Sequence, residues 1–235
     1  MTRDAEAYLF DGAGTLFDCH PTLAEYIAQT SRSFGFTIEP ADAGQALATV
    51  GGAYGWPDDT DDVAARKAGW LAFFDRVLLT CGARHHRAEH AEVVANFVLD
   101  PGSYLRYDDA LPILRAVRDG GLKLGLVSNF DRWLRDVLRK LDLLDYFDVV
   151  TISTEVGVAK PDPRIFRAAL GQLGVPAGRS VFVGDSLLAD VAGAQAAGMI
   201  PVLLDRDGTH PDHPGWRVRS LDELHRCIAT GPGRG

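Results

Sequence analysis

Two segments of this chain carry carboxylates at positions where they could do chemistry. Asp11 follows an apolar run in YLFDGAGTLFD, and Asp185 and Asp190 follow another in FVGDSLLAD. Carboxylates gathered in one place repel one another, and a hard divalent cation such as Mg²⁺ is the ligand that best explains them. A carboxylate beside such a cation can also attack phosphorus. The pattern therefore predicts a Mg²⁺ site at Asp11, Asp185 and Asp190, with a phosphorylated small molecule as substrate.

Two further segments offer groups that would hold an anion. The run LKLGLVSNF ends in Ser128 and Asn129, and GVAKPDPRIF places Lys160 before a helical pattern. A hydroxyl, an ammonium group and the loop amides at Gly12 would neutralise the oxygens of a phosphoryl group. Each has an ordinary alternative, because Ser128 and Asn129 could cap a helix and Lys160 could face solvent.

These residues can meet only if the elements that carry them form one sheet. Several short apolar runs lack alternation, which is typical of strands buried on both faces of a parallel sheet. The predicted strands are Ala7–Phe10, 122–127, 147–152, 181–183 and Ile200–Leu204. Helical patterns lie between and after them, at 131–141, Pro163–Leu173, 187–197 and from a predicted capping box of Ser220 with Glu223. This alternation predicts an open α/β sheet whose strand ends converge on one edge.

Residues 19–99 break the alternation. They predict helices at 23–34, 40–50, 61–79 and 87–99, punctuated by Gly51, Gly52 and Pro57. We therefore expect a core formed by residues 1–18 and 100–235, with a helical cap inserted at 19–99. Trp56, Trp70, Phe73 and Phe74 are predicted to pack inside this cap, while Tyr54 and Trp56 could contact a substrate.

Composition limits the kind of partner. The chain has 235 residues, with 24 Lys+Arg, 32 Asp+Glu and a net charge of −8 at pH 7, which argues against nucleic-acid or anionic-membrane partners. Three scattered cysteines are not a disulfide framework and favour a reducing compartment. Because MTRDAEAY lacks an apolar run, we expect no signal peptide and a cytoplasmic protein. The tail GPGRG is predicted to be disordered.

The segments FDGAGT, VSN, KPDP and VGDSLLAD resemble the four motifs of the haloacid dehalogenase superfamily. SNFDRWL and GVAKPDPRIF are similar to its rhythmically-expressed-gene-2-like branch. The resemblance implies a Rossmann-like core with an inserted helical cap, and a hydrolase with Asp11 as nucleophile. It implies that Asp11, the backbone carbonyl of Ala13 and Asp185 hold Mg²⁺ and that Asp190 supports them. Ser128 would bind the transferring group, and Lys160 would orient Asp11.

One position departs from the family pattern. Phosphatases of this superfamily carry a second aspartate two residues after the nucleophile, and here that position is Ala13. Loss of a general acid–base typically costs about 10²- to 10⁴-fold in rate, so we expect slow turnover of ordinary esters. His20 is a candidate substitute, although a surface histidine is the favoured interpretation.

The departure leaves three alternatives open. Phosphonoacetaldehyde hydrolases also have alanine there but need a cap lysine, and the cap offers Lys67, for which a solvated helix face is favoured. The 2-haloacid dehalogenases work without metal, which the retained Asp185 and Asp190 count against. A catalytically weak protein that binds a metal or ligand is the third.

Two histidine pairs have ordinary explanations. His86 and His90 are four residues apart and resemble half of a zinc site, but an exposed polar face is favoured because no third ligand is evident. His210 and His213 are predicted to lie in a surface loop after the last strand.

Overall fold

The computed structural model describes residues 4–57, 60 and 62–229 and divides the chain into two compact units. The first contains the residues up to Asp18 and those from Arg106 onward, and the second is Cys19–Leu105. The predicted tail at 231–235 lies outside the described residues. Within the described ranges, no helix combines the length and apolar composition that a membrane-spanning segment needs.

The strands are β1 (Ala7–Phe10), β2 (Phe17–Cys19), β3 (Tyr104–Arg106), β4 (Lys123–Ser128), β5 (Val149–Ile152), β6 (Ser180–Gly184), β7 (Ile200–Leu204) and β8 (Trp216–Val218). Six of them form a parallel sheet in the order β5-β4-β1-β6-β7-β8, and β2 pairs with β3. The predicted parallel α/β sheet is confirmed. β8 was not predicted, so placing His210 and His213 after the last strand was wrong.

The helices are α1 (Leu23–Ser31), α2 (Pro40–Tyr54), α3 (Val63–Thr80), α4 (Arg87–Val98), α5 (Ala110–Asp119), α6 (Leu134–Lys140), α7 (Ser153–Val156), α8 (Pro163–Leu173), α9 (Gly193–Ala196) and α10 (Leu221–Ala229). Single 3₁₀ turns cover Arg32–Phe34, Pro101–Ser103, Leu144–Tyr146 and Ala177–Arg179, and a π-helix covers Leu187–Ala192. α5 was not predicted.

Strand register aligns the segments that carry the polar residues. Phe10 of β1 lies opposite Leu126 of β4 and opposite Val183 of β6. Asp11, Ser128 and Asp185 follow these three positions by one or two residues. Because the strands are parallel, their carboxyl ends share one edge of the sheet, and the three side chains are carried there by separate strands.

The core of this unit is built on both faces of the sheet. α8 buries Ile165, Phe166 and Ala169 against a cluster that includes Leu9 and Phe182. The Phe166 and Phe182 rings meet edge to face with 4.9 Å between centroids. α5 lies against β4 and α10. Packing on both faces makes the central strand β1 a rigid support for the residue that follows it.

Two predicted helices in this unit differ from the observed ones. The helix predicted at 131–141 begins at Leu134, because the Asp131 carboxylate accepts a hydrogen bond from Trp133 N at 3.1 Å and forms a turn. The helix predicted at 187–197 divides into a π-helix and α9. The amides of Asp190 and Val191 both donate to the Ser186 carbonyl at 3.0 Å, which widens this turn.

The second unit contains α1 to α4. α1 begins with a capping box formed by Thr22 and Glu25. α2 was predicted to end at residue 50, but it continues through Gly51 and Gly52 to Tyr54, where Gly55 follows with φ +76°. The helix predicted at 61–79 has its first residue outside the described residues, and α3 begins at Val63 after an Asp62 N-cap.

The expected exposed pair of histidines in this unit was wrong. His90 is fully buried, with its Nε2 atom 2.7 Å from Thr30 Oγ1 and its ring against Phe34 and Phe36. Burial lowers the pKa of His90 to about 4. His86 precedes α4 in a left-handed conformation and is exposed, so the two residues do not share a helix face.

The aromatic residues of the second unit divide between interior and surface. Phe73 and Phe74 are buried, whereas Tyr54 and Trp56 are 68% and 54% exposed. Trp56 stacks on Phe73 with 5.0 Å between ring centroids. Trp56 was predicted to pack in the interior, and it instead covers that interior from outside.

Candidate active site

Asp11 is held at the end of the central strand by a turn that closes on itself. Its amide donates to the Val183 carbonyl at 2.9 Å, which extends the sheet pairing by one residue. The Gly12 carbonyl accepts from the amides of Thr15 and Leu16 at 3.2 and 2.8 Å. The Thr15 hydroxyl lies 3.3 Å from Asp11 Oδ2 and donates to it. The carboxylate is therefore positioned by both the backbone and a neighbouring side chain.

Lys160 joins two of the predicted acids. Its Nζ atom lies 2.5 Å from Asp11 Oδ1 and 2.7 Å from Asp190 Oδ1. All three side chains are buried, with 3%, 9% and 2% of the Lys160, Asp11 and Asp190 side chains exposed. Their burial makes this a desolvated ion cluster, in which each contact is stronger than a surface ion pair.

The position of Lys160 is set by both sides of its loop. Downstream, Asp162 caps α8 by accepting a hydrogen bond from Arg164 N at 2.9 Å, and Pro163 fills the first helical position. Upstream, Asn129 receives the Lys160 amide at its Oδ1 atom at 2.7 Å and donates from Nδ2 to the Lys160 carbonyl at 2.9 Å. Asn129 was predicted to bind substrate, and the contact that the structure records is this clamp on Lys160.

Asp185 and Asp190 approach Asp11 from the segment after β6. One carboxylate oxygen from each of the three acids lies within 4.8 Å of the others. Asp190 Oδ2 also accepts from Ser186 N at 3.0 Å, so the wide π turn directs this side chain inward. Asp185 is exposed, whereas Asp11 and Asp190 are buried. Asp185 is thus the acid of this cluster that solvent reaches.

Gly14 makes room for the Asp185 carboxylate. Its φ is +84°, and a Cβ atom at this position would lie 2.4 Å from Asp185 Oδ2. Any other residue would be strained and would also displace the carboxylate. At Gly12, a Cβ would lie 3.3 Å from the hydroxyl oxygen of Ser128, which is itself buried at the end of β4. The backbone at Gly12 and the Ser128 hydroxyl therefore border one small space.

The cluster contains three carboxylates and one lysine, and this excess of negative charge shifts their pKa values. Burial, and then the charge of Asp190, raise the pKa of Asp11 to about 6, although Lys160 acts in the opposite direction. Although Asp185 as a residue is exposed, its carboxylate packs against the turn at Gly14, and this desolvation, followed by repulsion from Asp11 and Asp190, raises the pKa of Asp185. Burial alone would lower the pKa of Lys160, but the charges of Asp11 and Asp190 outweigh it and raise that pKa. A nearby cation would relieve this excess of negative charge.

The donor set fits Mg²⁺. Asp11, Asp185 and Asp190 offer oxygen ligands only, which are the ligands that Mg²⁺ prefers in proteins. Because Gly14 has no Cβ, the Asp185 carboxylate can lie against the turn that carries Asp11. These residues could hold the cation together with the backbone carbonyl of Ala13, which lies on the turn between Asp11 and Gly14.

Two candidates named from the sequence belong to the other unit. His20 and Lys67 belong to the second unit, where His20 is exposed and Lys67 Nζ pairs with Glu92 Oε1 at 2.9 Å. The Lys67 side chain is 40% exposed, as expected for a solvated helix face.

Sequence reasoning missed residues that support the turn from a distance. The motif containing Thr15 was noted, but its hydroxyl contact with Asp11 was not predicted. Arg206 and Asp109 were not singled out, although Arg206 Nη2 donates to the Thr15 carbonyl at 2.9 Å and both residues pair with each other. A signal for Thr15 was its spacing of four residues from Asp11. For Arg206 and Asp109, which lie 97 residues apart, the sequence offered none.

The parallel sheet with an acid–lysine cluster at its carboxyl edge defines a hydrolase-type α/β protein, and comparison with known proteins agrees. The model of the haloacid dehalogenase-like hydrolase family matches residues 5–198. "Haloacid dehalogenase-like hydrolase domain-containing protein 3" of Danio rerio is 31% identical over 235 residues, which cover 92% of this chain and 93% of that protein.

Two further relatives are phosphatases by name. The glyceraldehyde 3-phosphate phosphatase of Methanopyrus kandleri is 37% identical over 170 residues, which cover 66% of this chain and 72% of that protein. The crystal structure of a HAD phosphatase from Thermococcus onnurineus is 32% identical, with a TM-score of 0.64 over 98% of this chain and 100% of that one. This chain belongs to the haloacid dehalogenase-like hydrolase family. It is a hydrolase whose relatives include phosphatases.

Proposed function

We propose that this protein is a Mg²⁺-dependent phosphatase that cleaves a small organic phosphate through an aspartyl-phosphate at Asp11. The observation that carries the proposal is the shared contact of Lys160 with Asp11 Oδ1 and Asp190 Oδ1, at 2.5 and 2.7 Å. This contact fixes one oxygen of Asp11 and keeps the carboxyl ionised near neutral pH. A buried carboxylate held in this way is suited to nucleophilic attack.

In the first step a carboxylate oxygen of Asp11 forms a bond to phosphorus while the bond between phosphorus and the substrate oxygen breaks. The leaving oxygen takes up a proton from solvent water, since the Ala13 side chain has none to give. In the second step a water oxygen attacks phosphorus, the aspartyl–phosphate bond breaks, and a proton of that water returns to solvent. Inorganic phosphate is released and the Asp11 carboxylate is regenerated. Each step places negative charge on the phosphoryl oxygens, and the Lys160 ammonium group offsets it.

The remaining site residues would bind and orient the phosphoryl group. The Ser128 hydroxyl and the backbone at Gly12 border the same space and would donate hydrogen bonds to it. Asn129 holds the backbone of Lys160 at both its amide and its carbonyl, so it would keep the ammonium group in place while the substrate changes. We assign Asn129 this positioning role in addition to the predicted one in substrate binding.

Asp11, Asp185, Asp190 and the Ala13 carbonyl would hold the metal. When bound, Mg²⁺ would supply charge neutralisation for the acids and for the phosphoryl oxygens. The close approach of the three carboxylates supports this assignment.

Ala13 limits the range of substrates. Its methyl group cannot protonate a leaving alkoxide or activate water, so good leaving groups should be cleaved faster than alkyl phosphates. The relative from M. kandleri is a glyceraldehyde 3-phosphate phosphatase, which supports a small phosphorylated compound as the substrate class. The scattered cysteines support a cytoplasmic location.

The test is hydrolysis of p-nitrophenyl phosphate with Mg²⁺ and after treatment with EDTA. Wild type should be active only with Mg²⁺, and Asp11→Asn should lower kcat by at least about 10³-fold because it removes the nucleophile but keeps its shape. Asp205→Asn is the matched control, since Asp205 is also buried after a strand but lies in another ion pair.

Three outcomes would overturn the proposal. Activity that survives in Asp11→Asn would place the nucleophile elsewhere. Cleavage of phosphonoacetaldehyde, with borohydride trapping at Lys67 and no phosphate-ester turnover, would identify a phosphonate hydrolase. Mg²⁺ binding without any turnover would identify a metal-binding interaction protein.

A further inference from the structure

Arg206 lies just after β7, and two neighbours hold its guanidinium group rigidly. Nη1 and Nη2 donate to Oδ2 and Oδ1 of Asp109 at 3.0 and 2.9 Å, in a forked ion pair. The guanidinium carbon also lies 3.9 Å from the centre of the Tyr107 ring. The Arg206 side chain is only 21% exposed. A fork on one side and a ring face on the other fix both the position and the plane of this group.

The same guanidinium group reaches the turn that carries the proposed nucleophile. Nη2 donates to the Thr15 carbonyl at 2.9 Å, and Thr15 is fully buried. The Thr15 hydroxyl in turn donates to Asp11 Oδ2 at 3.3 Å. The next carbonyl, that of Leu16, accepts from the amide of Tyr107 at 3.0 Å. Hydrogen bonds therefore link Asp109 to Arg206, Arg206 to the Thr15 carbonyl, and the Thr15 hydroxyl to Asp11, with the covalent structure of Thr15 joining the last two.

Asp109 anchors this chain of contacts to the body of the unit. It is buried directly before α5, and its Oδ2 atom also accepts from the Leu221 amide, at the start of α10, at 2.9 Å. The backbone of Asp109 is thus held where α5 begins, and its carboxylate is held by the first turn of α10. A support of this kind transmits the rigidity of packed helices to a loop.

A purely structural ion pair is the simpler explanation, and Arg217 shows what one looks like in this unit. Arg217 Nη1 pairs with Asp205 Oδ2 at 2.7 Å, and its side chain is 25% exposed, close to that of Arg206. Asp205 is otherwise bonded by the amides of Thr209 and His210, in the loop that follows β7. These bonds tie a loop to its own strand.

The Arg206 pair is different in what its guanidinium group contacts besides the acid. Its Nε atom is buried and has no hydrogen-bond partner among the described residues. Nη2, by contrast, is divided between the Asp109 carboxylate and the Thr15 carbonyl.

We propose that Arg206 is a positioning residue for Asp11: by holding the Thr15 carbonyl it keeps the Thr15 hydroxyl on the Asp11 carboxylate, in the orientation that attack requires. This rests on the proposed function of Asp11. A displacement of about 1 Å at a reacting group can cost about 10²-fold in rate. Lysine at this position would keep the positive charge beside Asp109 but could not fork to it and reach Thr15 in one plane.

The experiment compares kcat and KM for p-nitrophenyl phosphate at saturating Mg²⁺ in wild type, Arg206→Lys, Arg206→Gln and the control Arg217→Gln. We expect kcat to fall by about 10- to 100-fold in both Arg206 variants, with KM changed by less than about threefold. Arg217→Gln should lower the unfolding temperature but leave kcat within about threefold of wild type. Retained kcat in Arg206→Gln, or an equal loss in Arg217→Gln, would overturn the proposal.

A double-mutant cycle separates positioning from general stability and does not depend on Arg206→Gln folding. Thr15→Val removes the hydroxyl contact with Asp11, and it is combined with Arg206→Lys. If Arg206 acts through Thr15, the second substitution should add little to the loss in kcat caused by the first. Additive losses would contradict the proposal.

Asp11→Asn distinguishes the two proposals. If Asp11→Asn abolishes activity and the Arg206 variants keep theirs, only the positioning role fails. If Asp11→Asn stays active, the proposed function fails and the positioning role fails with it.

Discussion

Asp11 and Asp205 are two buried carboxylates in the same unit, and their surroundings shift their pKa values in opposite directions. Asp11 follows β1 and Asp205 follows β7, and the residues are 7% and 4% exposed. Each meets a cation, Lys160 at 2.5 Å and Arg217 at 2.7 Å. By strand position, burial and partner, the two acids look alike.

Their further neighbours separate them. Among the described residues Asp205 is the acid that Arg217 pairs with, and it also accepts from the amides of Thr209 and His210 at 2.9 and 3.2 Å. Burial alone would raise the pKa of Asp205, but the hydrogen bond from Arg217 and those from the two amides outweigh it and lower that pKa. Asp11 shares Lys160 with Asp190 and faces Asp185, and its pKa is raised to about 6.

The comparison indicates which feature distinguishes the proposed active site from a structural ion pair in this chain. A buried acid whose charge is matched within the protein is complete, and it contributes to structure. A cluster of three acids, two of them buried on one lysine, is incomplete, and its excess of negative charge is suited to a cation and to the phosphoryl group of a substrate.

Adding a fourth acid beside Asp11 should have the largest effect on turnover. Ala13→Asp restores a group that can transfer a proton, so phosphate-ester turnover with Mg²⁺ should rise by about 10²- to 10⁴-fold. Ala13→Asn is the matched control, because it adds the same shape without proton transfer. Steady-state kinetics on an alkyl phosphate measure the gain, and equal rates in the two variants would mean that Ala13 does not limit turnover.

Removing the basic side chain that pairs with Asp11 and removing the one that pairs with Asp205 should have unequal effects on kcat. Lys160→Met deprives the phosphoryl oxygens and Asp11 of their buried positive charge, and kcat should fall by about 10²- to 10³-fold. Arg217→Met breaks the complete pair and should lower the unfolding temperature with kcat within about threefold of wild type. Kinetics and thermal unfolding of both variants check this, and similar losses of kcat would erase the distinction between the regions.

The smallest effect expected is a dependence of metal-free stability on pH. Because the folded-state pKa values of Asp11 and Asp185 are raised, the folded protein binds more protons than the unfolded chain, and these two groups make stability fall as pH rises from about 4 to about 7. Asp205 acts in the opposite sense: its lowered pKa stabilises the fold above about pH 4, and that contribution is lost in more acidic solution.

The measurement is the unfolding temperature of EDTA-treated protein at about pH 5 and about pH 8, with and without Mg²⁺. Mg²⁺ should raise the unfolding temperature more at the higher pH, since protons no longer occupy the acids. Asp11→Asn should reduce this difference. A Mg²⁺ effect that is equal at both pH values would show that the acidic cluster is not where the metal binds.

Local pattern was sufficient for the elements that build the core. β1, β7 and α8 have the predicted bounds, because a continuous apolar run, or a cap with a proline and a helical stripe, leaves little choice of structure. Prediction failed where tertiary contacts overrode local signals. α2 passes through Gly51 and Gly52, and His90 is buried against Phe34 and Phe36 although the charged Glu89 precedes it.

For the site, the sequence by itself determined the chemical groups and the strand ends that carry them, since Asp11, Lys160 and Asp185 each lie in a short motif whose local structure is nearly independent of the rest of the chain. Only the tertiary structure decided what holds these groups in place. The amide of Asn129 meets the backbone of Lys160, and Arg206 meets the carbonyl of Thr15. In both contacts the acceptor is a backbone carbonyl, which every residue has, and the donor is far away in sequence. Neither residue type nor spacing could therefore have predicted them.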